Sequence, residues 1–196
     1  MDWFQFVNRL VHGYAFADTF CRYDAMIYSA FITDFLHDVH LPRISAREPA
    51  PDQRMIHRVA AIEDHEIAKT NGQKAGCIRS LLYVAAGGLD EAHRIVQGIS
   101  SNDGAYIHGM VHRIEDDFDN ARYWFRRAGA HPASAAMHSR AIADRLTVAS
   151  QPVWDPILVT DLVETSRTAG VTEDLRAVLT IEFEVLLGFL WDATEL

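Results

Sequence analysis

Cysteine is scarce in this chain. Its two copies among 196 residues, Cys21 and Cys77, lie far apart and form no CxxC. That spacing excludes a thiolate zinc knuckle and a disulfide framework, and it leads us to expect a reduced, cytoplasmic setting. Cationic excess is also missing. Lys and Arg number 18 against 27 Asp and Glu, a formal net charge of −9, so the surrounding field repels phosphate backbones and anionic membranes. Nucleic acid is therefore not an expected partner. No apolar run approaches the ~20 residues of a membrane span. The opening MDWFQFVNRLVHGY has neither a basic region nor a small-residue cleavage site, so neither a signal peptide nor a membrane anchor is expected. No P-loop, GxGxxG or GxSxG occurs, which leaves nucleotide-binding and serine-hydrolase readings without a motif. Alternating strand patterns are absent too.

What the chain does contain points to an all-α protein. Hydrophobic residues make up 49%, with four Trp and ten Phe against 23% charged residues, enough to fill the core of one domain spanning 1–196. Apolar spacing predicts a short helix over 2–13 and a core helix over 18–40 that carries Phe20, Ile27, Phe31, Phe35 and Leu36. The segment 41–51, LPRISAREPAP, holds three of the six prolines and shows no period, so it reads as linker-like. Further helices are expected over 51–70, 75–86, 89–98, 103–115, 118–128, 133–146, 156–168 and 172–194. Gly87-Gly88, Gly129 and Gly170 mark the stops. Pro132 and Pro156 mark starts, the latter behind Asp155, and Thr172 is a further candidate cap.

Two of these helix pairs follow one plan. IRSLLYVAAGGLDEAHRIVQGI and AYIHGMVHRIEDDFDNARYWFRRAG align, Leu89-Asp90-Glu91-Ala92 upon Phe118-Asp119-Asn120-Ala121, with a period of 29 residues. In the second pair Gly109, Ala121, Phe125 and Ala128 stand at the small and aromatic spacings of tetratricopeptide and Sel-like repeats, which the pair resembles. That resemblance implies antiparallel helix hairpins in a layered array. Residues from about 81 to 132 also resemble a widespread family of uncharacterised bacterial and fungal proteins. The shared pattern is LDExHxIxQ followed by HGxxHRxExDxxNAxYWFRRxGxHP. It is carried here by Leu89, Asp90, Glu91, His93, Ile95 and Gln97, and then by the run from His108 to Pro132. The likeness marks this quarter of the chain as the place to look for a site and implies no particular reaction.

Helical geometry, about 100° per residue, separates that run into faces. Ile107, Met110, Val111 and Ile114 share an apolar arc, His108, His112 and Glu115 form a stripe on its border, and Arg113 and Asp116 face away. In the following helix Ala121, Trp124, Phe125 and Ala128 form the buried arc, with Asn120 and Arg127 as a second polar stripe. Paired as in the repeat, the stripes would line one groove with His131 at its mouth. The expected ligand-binding set is thus His108, His112, Glu115, Asn120, Trp124, Arg127 and His131, and the occupant a protein or a small anionic ligand. Arg127 offers a planar fork for a carboxylate or phosphate, and its alternative is a buried ion pair with Glu115 or Asp117.

Histidines at i and i+4 with a carboxylate one turn on also suit a divalent transition metal. The metal set predicted from spacing is His108, His112 and Glu115, and it would serve a hydrolase or an oxygenase. HGMVH lacks the glutamate that a zincin places after its first histidine. Two weaker clusters complete the inventory. His37-Asp38 with the distant Asp144, and His12 upstream, is similar to the metal phosphohydrolases of the HD type. His57, Asp64 and His65 read more simply as a solvated helix face, and Arg122, Arg126 and Arg127 among Asp116, Asp117 and Asp119 read as solvated helix pairs.

Overall fold

Side-chain caps decide where most of the helices begin. The computed structural model describes residues 28–68 and 72–192. The expected helix over 2–13 and the first part of the one over 18–40 lie outside those residues. Within them Ser29 accepts the Ile32 N–H at the start of α1 (Ala30–Asp38), and Asp52 accepts that of Met55 at the start of α2 (Gln53–Ala61). A short α3 (Asp64–Ile67) precedes α4 (Gln73–Ala86) and α5 (Leu89–Val96). Ser101 caps α6 (Asn102–Ile114), and Asp117 caps α7 (Phe118–Ala128). Helix α8 (Ser134–Ala143) and a 3-10 turn (Thr147–Ser150) lead to α9 (Pro156–Ala169), where Asp155 and Pro156 act as the spacing predicts. Thr172 caps α10 (Glu173–Asp192) by accepting the Leu175 N–H. The fold is all-α, a layered array of helices with no strand among the described residues. None of these helices is long and apolar enough to cross a membrane.

The single helix expected over 51–70 is broken at Ile62-Glu63, and the cause sits in α4. Arg79 donates to the carbonyls of Val59 and Ile62 and to the Asp64 carboxylate. It thereby satisfies the open end of α2 and turns the chain.

Helices α4, α6 and α10 supply most of the core, with every residue from Gly104 to Ile114 buried. The turns Gly87-Gly88 and Glu115–Asp117 are so short that α4/α5 and α6/α7 must fold back as hairpins. Gly109 sets the closeness of the second. A Cβ there would stand 2.9 Å from the buried Phe125 ring, so the two axes approach to a distance that only glycine permits. Arg113, expected to face away from the apolar arc, is instead buried against α10. Its guanidinium is paired with the fully buried Glu182, which also accepts the Tyr106 hydroxyl at 2.9 Å, while the Trp154 indole N–H donates to Tyr106 at 3.1 Å.

The segment 41–51, linker-like by composition, is a packed loop. Pro42, Arg43 and Ile44 are buried, and Arg43 donates through Nε to the Val84 carbonyl at 3.0 Å. The Ala46 N–H bonds to the Ile114 carbonyl at 2.9 Å and Arg167 donates to the Ile44 carbonyl at 2.8 Å, so the loop is fastened to three helices. Gly87, at φ +85°, lies directly under Arg43, where a side chain would collide.

Candidate metal centre

Close approach at Gly109 has a consequence one residue from Phe125. It lays the Trp124 ring flat on His108, with centroids 3.8 Å apart and planes inclined by 18°. His112, one turn along α6, runs parallel to His108 at 4.8 Å. From the neighbouring hairpin, α5 brings His93 edge-on to both, at 4.6 Å from His108 and 5.1 Å from His112. One nitrogen from each of His93, His108 and His112 lies within 4.8 Å of the other two.

The surroundings hold two of these rings, His108 and His112, in the neutral form that binds metal. His108 is 3% exposed, and burial, with the neighbouring His112 and His93, pushes its pKa down to about 3. His112 is also lowered, chiefly by burial and then by His93, with Asp117 acting in the opposite direction. At neutral pH both rings are uncharged, and each has one nitrogen that can act as a ligand. The His108 Nδ1 is the single buried side-chain nitrogen or oxygen among the described residues that has no hydrogen-bond partner. An orphaned buried nitrogen of this kind is costly unless something coordinates it.

Around His112 the next layer is polar. The carboxylates of Glu115 and Asp117 each lie 3.6 Å from its Nδ1, and the Asn120 amide nitrogen lies 3.2 Å from its Nε2. Asp117 holds its place because it caps α7. Glu115, at the end of α6, has its pKa raised, first by burial and then by Asp90 and Asp117, with His93 opposing.

His108, His112, Asn120 and Trp124 therefore converge as the spacing predicts, and Glu115 stands beside them. Arg127 makes no ion pair with Glu115 or Asp117; it lies over the Trp124 ring, 5.4 Å from the centroid. His131 is not at the groove mouth. Its Nδ1 accepts the Ala133 N–H and its Nε2 donates to Asp103 at 2.9 Å, deep against Tyr106 and Phe189, because the chain after α7 turns inward. The residue missed by helical spacing is His93, which takes the position beside the two histidines that was expected of Glu115. The only signal for it was its place in LDEAHRIVQ, since no spacing rule links it to a helix in the next hairpin. Of the weaker clusters, His12 lies outside the described residues. His37 and Asp38 touch each other and Arg58, and no three-donor group among the described residues includes them, Asp144, His57, Asp64 or His65. Arg122 does form surface pairs, with Asp119 and with Asp161 and Glu164 of α9.

No family model, curated protein or solved structure matches the chain.

Proposed function

We propose that this chain is a small-ligand-binding helical protein built around a divalent transition metal, and that the metal serves a hydrolytic reaction. His93, His108 and His112 are its ligands. The observation that carries this reading is the unpartnered His108 Nδ1, on a neutral, buried ring whose neighbours are two more imidazoles within 4.8 Å. Nitrogens bound at ~2.1 Å around a tetrahedral zinc stand ~3.4 Å apart, so the trio closes on an ion by modest side-chain rotation. An all-imidazole set suits Zn²⁺, Cu²⁺, Fe²⁺ or Ni²⁺ better than Mg²⁺ or Ca²⁺.

Three protein ligands leave a position open, as catalytic zinc sites do, and a bound metal there lowers the pKa of water and polarises a substrate oxygen. Three histidines favour this over the two-histidine, one-carboxylate set of iron oxygenases. In the chain itself the Asp117 and Glu115 carboxylates lie 3.6 Å from the His112 Nδ1, where a small closure would make the carboxylate–histidine pair that stands behind a metal ligand, and Glu115, at the rim, is placed to accept a proton. The helical-repeat likeness belongs to the same reading: the Gly109–Phe125 contact is the close small-to-aromatic packing that such hairpins use. Because the stacked His108 and Trp124 rings fill the groove between α6 and α7, the ligand in this reading is a small molecule rather than a peptide.

Elemental analysis of protein purified without a polyhistidine tag tests the proposal. It should carry, or take up on addition of Zn²⁺, close to one equivalent of metal. His93→Ala and His108→Ala should lose that equivalent while keeping their helical circular dichroism. Folded protein that takes up none of Zn²⁺, Fe²⁺, Mn²⁺ or Ni²⁺ would end this reading.

A further inference from the structure

We propose that the open side of this metal centre takes a small oxyanion, a carboxylate or a phosphate group, and that Arg127 grips it; the proposal rests on the metal reading above. Asn120, Trp124 and Arg127 are spaced four and three residues apart and so form one stripe along α7. Each has a defined neighbour in the site. Asn120 meets His112, Trp124 covers His108, and Arg127 lies over Trp124. The guanidinium is thus held by the far end of a stack whose other end is a metal-ligand imidazole.

Its charge is also uncommitted. Among the described residues Arg127 has no carboxylate partner, whereas Arg58, Arg79, Arg113, Arg122 and Arg167 each have one. Arg43, Arg47, Arg94, Arg126 and Arg145 likewise lack a carboxylate partner among the described residues, and what sets Arg127 apart is its place over an indole that itself lies on His108. The guanidinium lies over the indole on an exposed residue, so its fork of N–H donors stays available to carboxylate or phosphate oxygens. The acids of the site do not cancel it. Asp117 precedes the first turn of α7 and Arg127 lies in the last, roughly 15 Å apart along the axis, with Glu115 on the Asp117 side. The groove is therefore acidic at one end, basic at the other and has the three histidines between, so an anion with one oxygen on the metal has its remaining charge drawn toward Arg127.

Cobalt-loaded protein tests this, because the visible spectrum of Co²⁺ reports both metal uptake and anion coordination. Inorganic phosphate and acetate are titrated separately into wild type, Arg127→Ala, Arg127→Lys and Arg126→Ala. At least one anion should shift the wild-type spectrum saturably, and whichever does so identifies the preferred oxyanion. Arg127→Ala should weaken that binding tenfold or more at unchanged Co²⁺ affinity, Arg127→Lys should recover part of it, and Arg126→Ala should match wild type. If Co²⁺ binds and neither anion shifts the spectrum, or if Arg127→Ala binds the anion as wild type does, the oxyanion proposal falls and the metal reading stands. Arg127 would then serve only the C-terminal end of α7, where a cation is favourable. If no Co²⁺ spectrum develops at all, the metal reading falls and takes this inference with it.

Discussion

His108 concentrates the physics of the site in one ring. In the unfolded chain it protonates near 6.5, and in the native protein burial and two adjacent imidazoles hold it down to about 3. As pH falls, the unfolded state takes up the proton first. The contribution to stability is complete above about pH 6.5 and is lost progressively toward pH 3. Urea unfolding of metal-free protein at pH 7.5 and 5 should therefore show a larger loss for wild type than for His108→Gln, whose amide does not titrate; equal losses would place the pH sensitivity elsewhere. His112 shifts in the same direction and adds to the effect. At this scale the sequence was readable where the partners share a helix. His108 and His112 follow from i and i+4, and Trp124 from its place on the arc of the next helix between Asn120 and Arg127. His93 and His131 were not readable, because their surroundings come from other elements: His93 is set by the packing of α5 on α6, and His131 by an inward turn before α8.

Between elements, contacts too close or too buried to tolerate change dominate. Gly109→Ala gains helix propensity of about 1 kcal/mol but drives a methyl group into the Phe125 ring. A net destabilisation of about 1–3 kcal/mol is expected from overpacking, read by urea midpoint, and Phe125→Leu in the same chain should restore part of it. The variant should also lose metal affinity, since Trp124 and His108 move with the hairpin. The buried pair of Arg113 and Glu182 gives a second expectation. Glu182→Ala strands a buried guanidinium and should cost about 3–5 kcal/mol, measured by the same unfolding curve, with Glu182→Gln less damaging. Gly109 was legible as a small-residue position of a hairpin. Arg113 was not, since a helical wheel shows which residues share a face and not what covers it; here the cover is α10, nearly seventy residues further on.

For the molecule as a whole, the histidine trio brings two hairpins together, α4/α5 through His93 and α6/α7 through His108 and His112, and a metal bound as proposed would join them. A ligand bound only by the native state stabilises it by mass action, about 2.7 kcal/mol at a hundredfold excess over Kd. For a chain of this size that corresponds to a rise of roughly 5–10 °C in Tm. Zn²⁺ should produce such a rise in wild type, a chelator should reverse it, and His93→Ala should abolish it; an equal rise in His93→Ala would mean that the ion acts elsewhere. The class of fold and most helix boundaries among the described residues were legible, because caps, glycine stops and apolar periods are local signals, whereas the break at Ile62-Glu63 was not. The role of residues 41–51 was not. Prolines show that a helix cannot continue, and they say nothing of the bonds that Arg43 and Ala46 find on distant helices.

That loop supplies donors to carbonyls near the ends of two helices at once, Arg43 to Val84 in α4 and Ala46 to Ile114, the last residue of α6. In effect it is a C-terminal cap delivered from outside, and the α6 end it closes is the one bearing His112. Trypsin has one well-exposed opportunity there, after Arg47. A nick at that bond leaves every helix covalently intact, yet it frees the strap that closes α6, so damage to a loop remote in sequence from His93, His108 and His112 would register as a loosened grip on an ion bound between them.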